Sequence, residues 1–376
     1  MGEQKRKTKR KEKAISYFDY NLLFIIIFLV GFGMVMLYSS SSYVAANKFN
    51  DAAYFLKLQV RNALIGFGLM AFLTMVDYRF WKRFALLAYA GSFALCFLTF
   101  VPAFQSSANG STRWVKIGPI TFQPSEIAKI AMVLFMAMLL EKVAKQLGNI
   151  MNLAKVLMFA VPIVVIVALS NLSTAIIIFG IVVCMIFVAS KKYIHFVSVG
   201  ALGVAFIAIF SMVGYRSDRI QAWLHPETAG DKGYQTMQGL YAIGSGGFFG
   251  KGLGQSLQKM GNVPEAQNDM IFTIICEELG LFGGICVILL FMLLIWRMMI
   301  IANNARDLFG SLIVVGVMSH IAIQVILNIA VVTNTIPNTG VILPFISYGG
   351  TSFAFLMAEM GLVFSVSRGI RLETIK

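Results

Sequence analysis

Apolar runs near 20 residues recur along almost the whole of this chain, and they constrain its fold more than any other feature. A run of that length crosses the roughly 30 Å hydrocarbon core of a bilayer as a helix. Lipid offers no partner to backbone amides and carbonyls, so spanning segments are helices or a closed barrel. The runs lack the alternation of barrel strands. Of the 376 residues, 58% are hydrophobic and only 13% charged, too little polar surface for several soluble domains. The expected fold class is an all-α polytopic membrane protein, one membrane domain over residues 1–376.

Ten spans are predicted, near 20–41, 58–76, 84–102, 124–141, 154–169, 172–189, 194–213, 270–298, 308–332 and 350–367. The boundary at Ser170–Ser173 is the tightest. Basic residues test the count, because Lys and Arg accumulate on the cytoplasmic side. The tail over residues 1–18 is basic between Lys5 and Lys13. Alternate loops then carry Arg79, Lys82 and Arg83; Lys142, Lys145 and Lys155; Lys191 and Lys192; and Arg297 and Arg306. Arg368, Arg371 and Lys376 follow the last span. With ten spans all of these share one side, so both termini are expected in the cytoplasm. The net charge of +14 then reflects loop ends facing lipid headgroups, not a nucleic-acid footprint. The first apolar run is too long for a cleaved signal peptide. Cys96, Cys184, Cys276 and Cys286 all fall within predicted spans and show no metal-binding spacing. His195, His225 and His320 are scattered, and none pairs in sequence with a nucleophile.

Residues 214–268 form the largest polar, glycine-rich segment. The count places it between spans 7 and 8, outside the cell, where cytosolic ATP is not accessible. Long loops in compact proteins are usually functional or disordered. Five segments converge on that side. The first runs from Asn109 through Arg113 and Trp114 to Pro124 and Glu126; Pro124 suits a first helical turn and Glu126 the positive end of its dipole. Glu126 and Lys129, three residues apart, share a helix face. Inside a span each costs about 2.5–3.5 kcal/mol, so they form either a structural ion pair or the wall of a substrate cavity. The second segment holds Arg216, Asp218 and Arg219, suited to phosphate or to a salt bridge within the loop. The third, Gly244 to Gly254 with Lys251, superficially suggests a P-loop but lacks its first glycine and its Ser/Thr. Its glycines suit either an anion cradle or a compact irregular loop.

The fourth segment is Pro264-Glu265-Ala266-Gln267-Asn268-Asp269. Asp269 at the mouth of a long span reads either as a helix N-cap or as a desolvated carboxylate able to take a proton from a sugar hydroxyl. Glu265 is a candidate to orient substrate or bind a metal. The fifth, Asn338 to Ser352 with Ser347, is uncharged and broken by Gly and Pro, as in a capping loop beside a cavity.

These segments together resemble the SEDS family (shape, elongation, division and sporulation), which includes FtsW, RodA and SpoVE. The resemblance covers nearly the whole chain. It is carried by Phe122-Gln123-Pro124-Ser125-Glu126-Ile127-Ala128-Lys129, by Ile243 to Gly254, by Pro264 to Asp269 followed by Glu277-Glu278-Leu279-Gly280, and by Leu343-Pro344-Phe345-Ile346-Ser347-Tyr348-Gly349-Gly350. It implies a ten-span peptidoglycan glycosyltransferase of the bacterial cytoplasmic membrane. Such an enzyme polymerises lipid II onto a polyprenyl-pyrophosphate-linked glycan, beside a class B penicillin-binding protein and other divisome or elongasome proteins. The family's essential loop aspartate falls on Asp269, its polar groups in the fourth span on Glu126 and Lys129, and its loop arginine on Arg113. Arg216, Arg219, Lys251, Glu265 and Ser347 are further substrate-binding candidates. Cations near Asp269 would receive the departing diphosphate. A divalent cation, Mg or Mn, is allowed but not demanded by any cluster. A lipid II flippase and a non-catalytic activator of the penicillin-binding partner are the alternatives. Phe18-Asp19-Tyr20 and Asn334 to Thr339 look more like the division or sporulation members than RodA. Two departures stand out. Many members have Pro-Asp-Leu-Gly-Thr where this chain reads Ser170-Asn171-Leu172-Ser173-Thr174, and His-Thr-Asp where it reads Gln267-Asn268-Asp269.

Overall fold

A computed structural model describes residues 17–108, 111–118, 120–190, 197, 198, 200, 201, 203 and 217–370. The first helix, α1 (Tyr20–Phe49), is capped by Asp19, which accepts from the Leu22 amide at 2.9 Å, and it stops where Asn50 turns left-handed at φ 55. Next come α2 (Tyr54–Met75), the short α3 (Tyr78–Lys82) and α4 (Ala85–Phe97). A hairpin region leads to α5 (Pro124–Val143), α6 (Ile150–Ser170) and α7 (Leu172–Ala189). The chain then forms α8 (Ser217–Leu224), α9 (Gly230–Ser245), α10 (Ile271–Asn303), α11 (Leu308–Val332) and α12 (Thr351–Gly369).

Nine of the ten expected spans coincide with helices, and the tenth, 194–213, lies almost wholly outside the described residues. Six helices among the described residues, α1, α2, α6, α7, α10 and α11, are long and apolar enough to cross a bilayer. Helices α5 and α12 carry charged residues within their length; α4 is shorter, and a 3-10 turn, Leu98–Phe100, extends it. Most of these helices are apolar all round, because lipid on one side is as apolar as the packed core on the other.

The all-α expectation needs one correction. The described residues between 105 and 122 form a small antiparallel sheet, β1 (Gln105–Ala108), β2 (Ser111–Ile117) and β3 (Ile120–Phe122), in the order β1-β2-β3. Ser106 pairs with Trp114 and Val115 with Phe122. Three strands of this length satisfy the backbone of a loop too short to fold back as helices. The long segment 214–268 is likewise not irregular throughout, since α8 and α9 lie within it.

Ion pairs tie one end of the bundle. Arg297 meets Asp19 at 2.6 Å, Arg79 meets Asp307 at 2.7 Å, and Lys82 meets Glu141 at 2.5 Å. Basic residues from separate predicted loops therefore gather at a common end. The sheet, the N-termini of α5, α7 and α10, and residues 338–352 gather at the other.

Helix α10 has 33 residues, about 50 Å at 1.5 Å per residue, well beyond the hydrocarbon core. It breaks at Gly280, where φ is 69. The glycine-rich segment fills the break. Lys251 and Gly252 amides donate to the Glu277 and Glu278 carbonyls at 3.0 and 2.9 Å, and Leu281 and Phe282 amides donate back to Gly247 and Phe248 at 2.9 and 3.1 Å. A Cβ on Gly280 would stand 2.4 Å from the Gly250 nitrogen. These glycines serve close backbone approach, and the amides of Lys251 and Gly252 are spent on the helix carbonyls. The compact-loop reading of this segment is the one observed.

Candidate functional site

The turn before α10 is held from three sides. Asn268 donates its amide to the Glu265 carbonyl at 2.9 Å, with Glu265 left-handed at φ 54 and its carboxylate bonded to the Asn268 side chain. The Tyr348 amide donates to the Gln267 carbonyl at 2.9 Å. Asn328 of α11 donates its side-chain amide to the carbonyls of Asp269 (2.7 Å) and Val341 (2.8 Å). This clamp holds the Asp269 main chain and leaves Oδ1 of its side chain open.

Asp269 does not cap α10. The capping position is Met270, and no side chain caps it. Asp269 is only 8% exposed, and its Oδ1 is buried with no hydrogen-bond partner among the described residues. A buried acceptor left open is costly, and such exceptions ask for an explanation. Burial, and next the charge of Glu265, raise its pKa from 3.8 to about 7; its own backbone amide, Arg113 and Arg219 pull the other way.

Asp269 faces a cavity of about 310 Å³ whose wall also carries Arg113 from β2, Glu126 and Lys129 from α5, Asn171 from the α6–α7 junction, and Glu265. Asn171 separates the two helices with extended backbone and caps α7 by accepting from the Thr174 amide at 3.3 Å. The residue in place of the acid common among family members thus has a structural task of its own. Glu126 and Lys129 form an ion pair at 3.0 Å. Lys129 also meets His320 Nε2 at 2.9 Å, and His320 Nδ1 meets Glu359 at 2.6 Å. With two such neighbours, Lys129 is not an uncommitted cation for a phosphate. Among the described residues, no group of three or more His, Cys, Asp or Glu is placed to hold a metal ion.

The other candidates separate. Arg219 of α8 donates to the Asn338 carbonyl at 3.2 Å, and Trp223 donates to that of Asn334 at 2.9 Å, laying α8 over the segment after α11. Lys251 sits outside the cavity wall, bonded to Glu277 at 2.7 Å and to Ser245 at 2.8 Å. Ser347 is buried and accepts from the Leu343 amide at 2.8 Å, closing its own turn. Arg216 lies outside the described residues. The sequence reading assigned no role to His320, Glu359, Asn328 or Lys259. Lys259 meets Glu278 at 2.9 Å, Ser39 donates to the same carboxylate at 2.7 Å, and Glu278 is fully buried. The available signal was an ionisable or amide group inside an apolar run, which usually has a partner.

Comparison with known proteins places these features in a wider set. The family model described as cell cycle protein, FtsW/RodA/SpoVE, matches residues 20–372. Stage V sporulation protein E of Bacillus subtilis (strain 168) is 41% identical over 357 residues, covering 93% of this chain and 97% of that protein. A probable peptidoglycan glycosyltransferase FtsW of Geobacter sp. (strain M18) is 36% identical, covering 96% of this chain and 99% of the relative. Among solved structures, one described as showing structural coordination of polymerization and crosslinking by a peptidoglycan synthase complex superposes with a TM-score of 0.78 at 26% identity, covering 93% of this chain and 98% of that one. The rod shape determining protein RodA of Thermus thermophilus gives 0.71 at 25% identity, covering 95% and 98%.

Proposed function

Because the chain belongs to the FtsW/RodA/SpoVE family of cell cycle proteins, we propose that it is a peptidoglycan glycosyltransferase that polymerises lipid II at the outer face of the bacterial cytoplasmic membrane. The FtsW relatives, named as probable peptidoglycan glycosyltransferases, support the reaction class. Basic residues among those described support the sidedness: Arg79, Lys82 and Arg297 lie at the end opposite the cavity, and Lys and Arg favour the cytoplasmic side. The observation that carries the reading is the buried, unpartnered Oδ1 of Asp269 on the cavity wall.

Asp269 acts as general base. It takes the proton of the acceptor sugar's 4-hydroxyl as that oxygen attacks the anomeric carbon of the donor glycan. The bond from that carbon to the pyrophosphate oxygen breaks, the centre inverts, and polyprenyl pyrophosphate leaves. One carboxylate suffices, because pyrophosphate is already a good leaving group. A base with a pKa near 7 is well matched to neutral pH. Arg113, on the same wall, stabilises the charge that develops on the diphosphate. Arg219, with its positive field at Asp269, assists from the rim. Glu126, held by Lys129, and Asn171 offer hydrogen-bond partners to sugar hydroxyls. The partner is a class B penicillin-binding protein that crosslinks the product, in keeping with the synthase complex this chain superposes on. The identities of 41% with SpoVE and 36% with FtsW favour division or sporulation over elongation.

The test is polymerisation of lipid II by purified protein in vesicles, with and without a class B partner. Wild type makes glycan and Asp269→Asn makes none while inserting normally. Product formed without the partner excludes a pure flippase and a pure activator; full activity of Asp269→Asn removes Asp269 from the base role.

A further inference from the structure

Four ionisable side chains run in line from the cavity wall into the middle of the bundle. Glu126 pairs with Lys129 at 3.0 Å, Lys129 with His320 at 2.9 Å, and His320 with Glu359 at 2.6 Å. Lys129, His320 and Glu359 are 3%, 2% and 1% exposed. His320 is the middle residue of α11, and Glu359 lies on α12. Glu126 already balances the charge of Lys129, so two further polar groups inside the spans call for another reason. Their geometry fixes the roles. An ammonium only donates, so Nε2 of His320 accepts; its proton is then on Nδ1 and is donated to Glu359.

We propose that His320 and Glu359 are positioning residues that hold the Lys129 ammonium on Glu126 and away from Asp269. A lysine head on a four-carbon stem otherwise moves toward the most polar surroundings it can reach. Here that is the cavity Lys129 itself lines, on whose wall the Asp269 carboxyl has an open oxygen. An ammonium seated there occupies the base and lowers its proton affinity. The charged groups that act most strongly on Asp269 are Glu265 from its own turn, Arg113 from β2 and Arg219 from α8. Glu126 and Lys129 of α5 share its cavity, and in the observed arrangement the Lys129 ammonium sits between Glu126 and His320. The clamp from α11 and α12 maintains that separation.

This inference rests on the polymerase reading, and its test separates the two. His320→Asn is too short to meet both neighbours, whereas His320→Gln offers an acceptor to Lys129 and a donor to Glu359. Lipid II polymerisation is measured for both, in wild-type and Lys129→Met backgrounds. His320→Asn is expected to lower kcat/KM about tenfold and to move the acid limb of its pH profile to lower pH. His320→Gln is expected to stay near wild type. In the Lys129→Met background His320→Asn changes nothing further. An equal loss in both backgrounds, or His320→Asn indistinguishable from wild type, overturns the positioning role. Wild-type protein that makes no polymer overturns the polymerase reading instead.

Discussion

Replacing Asp269 with Asn should inactivate the protein and make it more stable, and the stability gain should depend on pH. The carboxyl is raised from 3.8 to about 7, with burial the leading cause. Between about pH 4 and about pH 7 the folded chain keeps a proton that the unfolded chain has lost. Stability therefore falls as pH rises through that window and is level above it. At roughly 1.4 kcal/mol per pK unit, the ionised carboxyl destabilises the fold by up to about 4 kcal/mol above pH 7. Asparagine has nearly the same shape and no charge, so it escapes this cost. The assay is thermal unfolding in detergent at pH 5 and pH 8 for both proteins. The variant should melt several degrees higher at pH 8, and the gap should shrink at pH 5. Equal melting at both pH values would refute the claim that this carboxyl is desolvated.

Three further predictions concern the surroundings of the base. Arg113→Ala should lower lipid II polymerisation about 10²-fold, the scale of losing one charge-stabilising donor, measured as kcat/KM; an unchanged rate would place the diphosphate elsewhere. Gly280→Ala puts a Cβ 2.4 Å from the Gly250 nitrogen and the Phe248 oxygen at a left-handed position, so folded yield should collapse, while Gly31→Ala, with open space around it, should be neutral. Lys259→Met leaves the fully buried Glu278 without its cation and should cost about 3–5 kcal/mol, read as a large drop in melting temperature.

Much of the fold was legible because a membrane span announces itself over a short, continuous window. The helices α1, α2, α6, α7, α10 and α11 needed no knowledge of their neighbours, and even the tight junction at Asn171 was visible as polar residues between two apolar runs. The sheet over residues 105–122 was not legible, since strands of 4, 7 and 3 residues in a polar loop carry little periodicity. Asp269 was legible from its place at a span mouth, Glu126 and Lys129 as ionisable residues sharing a helix face inside a span, and Arg113 only through the family resemblance; the structure brings all four to one cavity. Lys251 was not separable from them, because a loop lysine suits a phosphate as well as a carboxylate; its partner is Glu277, beyond the intervening turn. His320 lies within a span but carried no sequence signal of its role, because its partners lie 191 and 39 residues away in sequence, and only the packing of α5, α11 and α12 joins them.

The most direct measurement is the pH dependence of kcat/KM for lipid II polymerisation by the purified wild-type protein. A base that titrates near 7 predicts a rate rising tenfold per pH unit below that value and levelling above it. A rate flat from pH 5 to pH 8 would mean that the group accepting the proton is ionised throughout, and Asp269 in its buried setting could not be that group.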